Sequence, residues 1–350
     1  MRYTLLGKSG LRVSELCLGT MTFGDERGWG SGKKESLDLY EAFMESGGNF
    51  VDTADFYTNG TSERFLGEFI ASDRQRVVLG TKYTNSAAGN DPNAAGNHRK
   101  NMMQSLEASL RRLKTDFIDL YWLHVWDYTT PVDEVMRAFD DLIRQGKVLY
   151  IGISNTPAWI VSRADAIAEL RGWTQFIGLQ IEYSLIERTC ERELLPMACA
   201  LDLAVTAWSP LAGGLLTGKY AKNFEDNQKE SRLAHPMIAP LVDINERKRT
   251  IADAVKEVAD AIGKTPAQVA LNWLGRQPGV VIPIIGARRL SQLKDNLGSV
   301  GFSLEDKHLQ KLDAVSRIEL GFPHDFFNND LVQNFAFGGM RNLIDIHRSQ

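Results

Sequence analysis

Residues 118–153 hold the pattern that decides the fold. They read Ile118-Asp119-Leu120-Tyr121-Trp122-Leu123-His124, then a turn through Thr129-Thr130-Pro131, then Val132-Asp133-Glu134-Val135-Met136-Arg137-Ala138-Phe139-Asp140-Asp141-Leu142-Ile143-Arg144, and finally Val148-Leu149-Tyr150-Ile151-Gly152-Ile153. The outer runs are short, apolar and rich in branched and aromatic residues, as buried strands are. In the middle run Val135, Phe139, Leu142 and Ile143 return at helical spacing. The unit is strand, helix, strand, and two strands joined by a helix pair in parallel. Working outward, strand-like runs occur at 16–18, 50–52, 77–80, 177–181, 204–207 and 280–285, making eight in all. Helical segments separate them: Met102, Leu106, Leu110 and Leu113 share one face, 251–262 is a second segment, and Pro266 opens another that runs to Leu274. Eight alternations predict an α/β fold closed as a (β/α)8 TIM barrel. An open doubly wound sheet should carry G-x-G-x-x-G after its first strand. Gly28-Trp29-Gly30-Ser31-Gly32-Lys33 has the wrong spacing and reads as a loop.

Two pieces fall outside the repeat. Residues 1–15, centred on Gly7-Lys8-Ser9-Gly10, predict a β-hairpin ahead of the barrel. Residues 318–350 hold Phe322, Phe326, Phe327, Phe335 and Phe337 among glycines and polar residues, and are expected as an irregular tail that covers a site or joins two chains. No linker or composition shift divides 1–350, so one domain is expected. Forty basic against 44 acidic residues give a net charge of −4, with no basic block to meet nucleic acid or an anionic membrane. Cys17, Cys190 and Cys199 are odd in number and lack metal-site spacing, which suits a reducing compartment. With no signal-like N-terminus and no run of ~20 apolar residues, the expectation is a cytoplasmic protein.

In a barrel of this kind, chemistry gathers at the C-terminal ends of the strands. Those ends supply Thr20 and Met21, Asp52 with Tyr57, Lys82, His124, Ser154 and Asn155, Gln180, Trp208 and Ser209, and the stretch Gly286 to Arg289. Each has a bland reading: Asp52 as a helix cap, Tyr57 and Lys82 as surface residues, His124 as a bonded core histidine. What points to a site is the conjunction of an acid, a phenol, an amine and an imidazole on four separate strand ends.

These stretches also resemble a known family. Phe50-Val51-Asp52-Thr53-Ala54-Asp55-Phe56-Tyr57, Gly60-Thr61-Ser62-Glu63-Arg64-Phe65-Leu66-Gly67, the run from Ser105 to Leu113, and Asp119-Leu120-Tyr121-Trp122-Leu123-His124 are similar to motifs of the aldo-keto reductase superfamily. So are Trp208-Ser209-Pro210-Leu211-Ala212-Gly213-Gly214-Leu215-Leu216-Thr217-Gly218 and the run from Gly286 to Asn296. The nearest branch is that of bacterial aldo-keto reductases and potassium-channel β subunits. The resemblance runs from about Tyr3 to Leu312 and leaves the tail unmatched.

The resemblance implies an NADPH-dependent carbonyl reductase with Asp52, Tyr57, Lys82 and His124 as its catalytic tetrad. A phenol of pKa ~10 is high for acid–base work at neutral pH, and a neighbouring ammonium favours its phenolate. Asp52 would hold Lys82 charged, and His124 would donate to the substrate oxygen. The resemblance further implies that Thr20, Met21, Asp52, Ser154, Asn155, Gln180, Trp208, Ser209, Leu211, Gly213, Leu215, Gly286, Arg288, Arg289, Gln292 and Asn296 bind NADPH or NADP+. Trp208, where many relatives carry tyrosine, would stack on the nicotinamide, and Arg288 or Arg289 would fork onto a 2′-phosphate. Phe23, Trp29, Tyr57, His124 and Trp126 are expected around a small carbonyl or alcohol substrate. A homo-oligomer is compatible with the tail.

Competing motifs fail. Gly213 to Lys219 has Walker A spacing, but Tyr220 stands where magnesium needs Ser or Thr. His124 with Asp127 is a thin case for a metal-dependent hydrolase, and no metal is expected. A redox-sensing regulatory subunit is the main alternative; the short lead before the hairpin favours a stand-alone enzyme. Residues 220–243 show no periodicity and leave the seventh strand, so a lid over bound cofactor is expected there.

Overall fold

The computed structural model describes residues 1–26, 28–86, 89–219 and 245–345. The expected lid at 220–243 lies outside the described residues.

Eight parallel strands close into a barrel: β3 (Cys17–Gly19), β4 (Phe50–Asp52), β5 (Val78–Tyr83), β6 (Ile118–Leu123), β7 (Val148–Ser154), β8 (Gly178–Glu182), β9 (Ala204–Trp208) and β10 (Val281–Ile285), with β10 pairing back onto β3. Helices between the strands form the outer layer, so this is a (β/α)8 TIM barrel. The apolar pattern produces two nested cores. Residues of one parity along each strand pack against the helices, among them Val51, Leu79, Tyr121, Leu123, Ile151, Leu179 and Val205. Residues of the other parity fill the barrel: Cys17, Phe50, Val78, Leu120, Trp122, Ala204, Ile282 and Ile284. Trp122 is the largest side chain inside, and glycines on neighbouring strands make room for it. A Cβ at Gly152 would stand 2.3 Å from two indole carbons, and one at Gly178 would stand 2.9 Å from a third.

The N-terminal hairpin appears as expected, β1 (Tyr3–Leu5) pairing antiparallel with β2 (Arg12–Ser14). Its Leu6 and Val13 are fully buried and belong to the interior core. At its turn the Lys8 N–H donates to Asp202 O at 2.8 Å, just ahead of β9. The hairpin thereby plugs the N-terminal end of the barrel and leaves the opposite end to loops.

Two expectations need correction. Lys82 lies within β5 rather than beyond it, paired with Trp122 of β6. Gly80 and Thr81 interrupt the apolar run, yet the ladder continues because Lys82 is buried against Asp52. The tail is not irregular throughout: it carries short helices at His324–Phe327 and Asp330–Ala336 and a turn at Arg341–Leu343. Asn329 caps the second, its side chain accepting from Leu331 N at 2.9 Å. Among the described residues no helix is long and apolar enough to cross a membrane.

Candidate active site

Strand parity aims the polar side chains at the mouth. Asp52 follows Phe50 by two residues, Lys82 follows Val78 and Gly80, and His124 follows Leu120 and Trp122, all on the inward-facing side. Ser154, Gln180 and Trp208 continue the same inward parity from Gly152, Gly178 and Ala204. Each of these six inward rows therefore ends in a polar or aromatic group at one end of the barrel.

Four of these groups meet. The Lys82 ammonium donates to Asp52 Oδ2 at 2.5 Å, to Thr53 O at 2.6 Å and to the Tyr57 hydroxyl at 3.3 Å. The His124 and Tyr57 rings stand 6.0 Å apart at 78°, edge to face. Lys82 is wholly buried and Asp52 nearly so. Burial works against the Lys82 charge, but Asp52 and then Tyr57 outweigh it, and its pKa lies above the ordinary lysine range. For Asp52, burial pushes the pKa up, while Lys82 and the Gln180 amide, 3.1 Å from Oδ1, oppose it. A 2.5 Å contact to an ammonium supports the ion pair, carboxylate with Lys82 protonated. Burial, then the Lys82 charge, holds His124 well below the usual histidine range, so its ring is neutral. Its buried Nδ1 meets no hydrogen-bond partner among the described residues.

Strained backbone holds this arrangement. Thr58 and Asn59, directly after Tyr57, have φ of 46° and 52°, and Gly60 follows at 83°. A positive φ at a β-branched residue is an outlier, and such strain gathers at functional sites. Asn155, Ser209 and Ala212 repeat it at the ends of β7 and β9.

The nearby polar residues are already interlocked. Asn155 Nδ2 donates to His124 O at 2.8 Å and to Ser154 Oγ at 2.9 Å, while its Oδ1 accepts from the Trp208 indole at 3.0 Å. The indole plane is thus fixed from a neighbouring strand end. Thr20 turns away from the mouth: its Oγ1 bonds Asp52 O at 3.0 Å and Ser62 Oγ at 2.8 Å. Met21 is half-buried beside it. After β9, Ser209 and Leu211 are half-buried, Gly213 and Gly214 take φ of 66° and 103°, and Leu215 packs into the outer core. A Cβ at Gly214 would meet nothing within 4 Å, so this turn opens to space. After β10, Gly286 is exposed, the N–H groups of Arg288 and Arg289 donate to Gln292 Oε1 at 2.9 and 3.2 Å, and buried Asn296 reaches Gly286 O at 3.4 Å. Thr22 and Ser31 donate to Ala287 O and Arg288 O, tying the first loop to the last.

The expected substrate pocket fares unevenly. Trp29 is half-buried. Trp126 is nearly buried in the outer core. Phe23 is fully buried, its ring 6.3 Å from Phe69, so it faces no open space; this aromatic near a strand end belongs to strand–helix packing. Sequence reasoning passed over Phe56, whose ring lies 5.2 Å from Tyr57 and 5.4 Å from His124. Its place next to Tyr57 was the available signal. It also passed over Asp55, a carboxyl pushed up to about 8 by burial and then by Glu63, with Arg112 opposing. Nothing in an Asp between two motif residues marks it as buried.

Comparison with known proteins places this closed barrel in a family. Residues 15–317 match the aldo/keto reductase family, and the chain belongs to it. It is 36% identical to a norsolorinic acid reductase of Aspergillus flavus over 95% of this chain and 85% of that relative. An aldo-keto reductase of Aspergillus calidoustus shares 36% over 94% of this chain and 85% of its own. An oxidoreductase of Bacillus subtilis shares 38% over 90% and 96%.

Proposed function

We propose that the chain reduces aldehydes and ketones to alcohols with NADPH, Tyr57 delivering the proton. The observation that carries this is the Tyr57 hydroxyl lying 3.3 Å from a lysine ammonium that is itself paired with a buried carboxylate. When bound, the cofactor supplies the hydride, which no side chain can. The donor set suits it. The open turn at Gly213 and Gly214 presents backbone without side chains, and Arg289 carries no ion pair among the described residues. Ser154, Asn155, Gln180 and Trp208 would hold the nicotinamide end, and Arg288, Arg289, Gln292 and Asn296 the adenosine end.

The chain's own residues do the remaining work. A neutral His124 has an N–H to offer the carbonyl oxygen, and its ring beside Tyr57 directs that oxygen at the phenol. Tyr57 gives its proton as the oxygen becomes an alcohol, and the phenolate left behind faces the Lys82 charge. Asp52 keeps that ammonium charged and in place. Phe56 and Trp208 give the mouth aromatic walls, which favours aromatic or apolar carbonyls.

Tyr57→Phe tests the reading. Turnover in an NADPH-oxidation assay over a panel of aldehydes and ketones should fall at least ~100-fold, with NADPH binding retained. Near-normal turnover by the variant would overturn the proton-donor role. Absence of multiple turnover by the unaltered protein on every carbonyl would point to a cofactor-sensing subunit instead.

A further inference from the structure

The tail is the largest anomaly in the molecule. Among the described residues, no apolar side chain beyond Val315 belongs to either core. Phe322, Phe326, Phe327 and Phe335 are 84%, 51%, 55% and 72% exposed, and Leu331 and Leu343 are exposed by 61% and 75%. The first three phenylalanines form one continuous cluster, with ring centroids 6.0 and 6.2 Å apart. Leu331 and Phe335, four residues apart in the helix Asp330–Ala336, lie on one face.

This surface is held in place rather than trailing. Arg192 donates to Glu319 O at 2.9 Å, and His324 pairs with Glu193 at 3.2 Å, rooting the tail on the loop after β8. Within it, Gln333 donates to Phe327 O, Arg341 donates to Gln333 Oε1 at 2.6 Å, and the Gly339 N–H donates to Asn334 O at 2.8 Å. Polar groups of the tail are engaged with one another and with the loop after β8, while its large apolar side chains face solvent.

Independently of the catalytic reading, we propose that this face pairs with the same face of a second copy in a twofold-symmetric dimer. At ~200 Å² for a whole phenylalanine, the four rings present roughly 500 Å². Leu331, on the face of Phe335, brings the patch to roughly 600 Å², above the few hundred Å² usual on a monomer and approaching the ~800 Å² that each partner gives a standard interface. An apolar ridge is complementary to itself, as a twofold contact requires. Of the charges within the tail, Asp325 and Asp330 are exposed at helix starts and Arg341 is engaged with Gln333.

Light scattering after size exclusion and sedimentation velocity on the full chain, from low to high micromolar, decide the matter. The unaltered protein is expected at twice the chain mass. The double variant L331E/F335E is expected at the chain mass, with self-association weakened about 100-fold or more. A monomer across the whole range would overturn the proposal. A dimer unmoved by the double substitution would do the same, because the contact then lies elsewhere. Hydrogen exchange on the unaltered protein gives a reading that needs no variant. Amides of Asp330–Ala336 should gain protection as concentration rises, and protection independent of concentration would mean that the tail covers its own barrel, against the proposal.

Discussion

Lys82→Met removes the ammonium that joins Asp52 to Tyr57 while keeping an unbranched side chain of similar length. Asp52 would then keep the Gln180 amide, 3.1 Å away, as its remaining side-chain donor among the bonds described above. Stranding a sealed charge in this way costs about 3–5 kcal/mol. The loss should depend on pH with a definite sign. Without Lys82, burial outweighs the Gln180 hydrogen bond and raises the Asp52 pKa above the unfolded value of ~3.9. The unfolded chain then releases its proton first as pH rises, so the variant loses stability from pH ~4 upward until the folded carboxyl also ionises. Its deficit against the unaltered protein is therefore smallest near pH ~4 and largest at neutral pH and above. Thermal unfolding of Lys82→Met, Asp52→Asn and the double variant, each at acid and alkaline pH, measures this directly. The double variant has no charge to strand and should recover most of the loss. A deficit below ~1 kcal/mol at alkaline pH, the range of an exposed pair, would refute the reasoning. So would a double variant no more stable than Lys82→Met.

Asp55→Asn replaces a carboxyl that the fold keeps protonated up to about pH 8 with its neutral isostere. Since the folded pKa is raised, the unaltered protein loses up to ~1.4 kcal/mol per pH unit between ~4 and 8; the variant should lack that slope, and parallel pH–stability curves would count against the protonated form. Gly152→Ala places a Cβ 2.3 Å from the Trp122 ring inside a filled barrel, so it should cost about 1–3 kcal/mol in thermal unfolding. No loss would mean that the indole can shift. The double variant Arg288→Ala/Arg289→Ala should raise the NADPH dissociation constant about 10-fold or more while leaving NADH nearly unchanged. Unchanged preference would place 2′-phosphate recognition elsewhere.

How much of this was legible beforehand follows from the two periodicities of the chain. Residues 118–153 state a strand, a helix and a strand in their apolar spacing, because a strand buried on both faces must be apolar throughout and a helix on one face only. Strand ends were less legible. The apolar run of β5 stops at Gly80, yet the strand runs to Tyr83 because Lys82 finds its counter-charge on β4. The short helices of the tail were not legible because segments of four and seven residues are too short for an apolar period to register.

Along the chain itself, the sequence determined the barrel, the hairpin ahead of it and the parity that turns Asp52, Lys82 and His124 inward, since these follow from local spacing and the alternation of side chains along a strand. Tertiary structure alone decided that Lys82 touches Asp52, Thr53 and Tyr57 together, that Asn155 locks Trp208, that Asp55 is buried and Phe23 sealed in the core, and that the phenylalanines of the tail face outward. Contacts at the site join residues far apart in the chain, such as Gln180 and Asp52, 128 positions apart. Distance and burial across such a separation arise only when the sheet closes, and pKa depends on both.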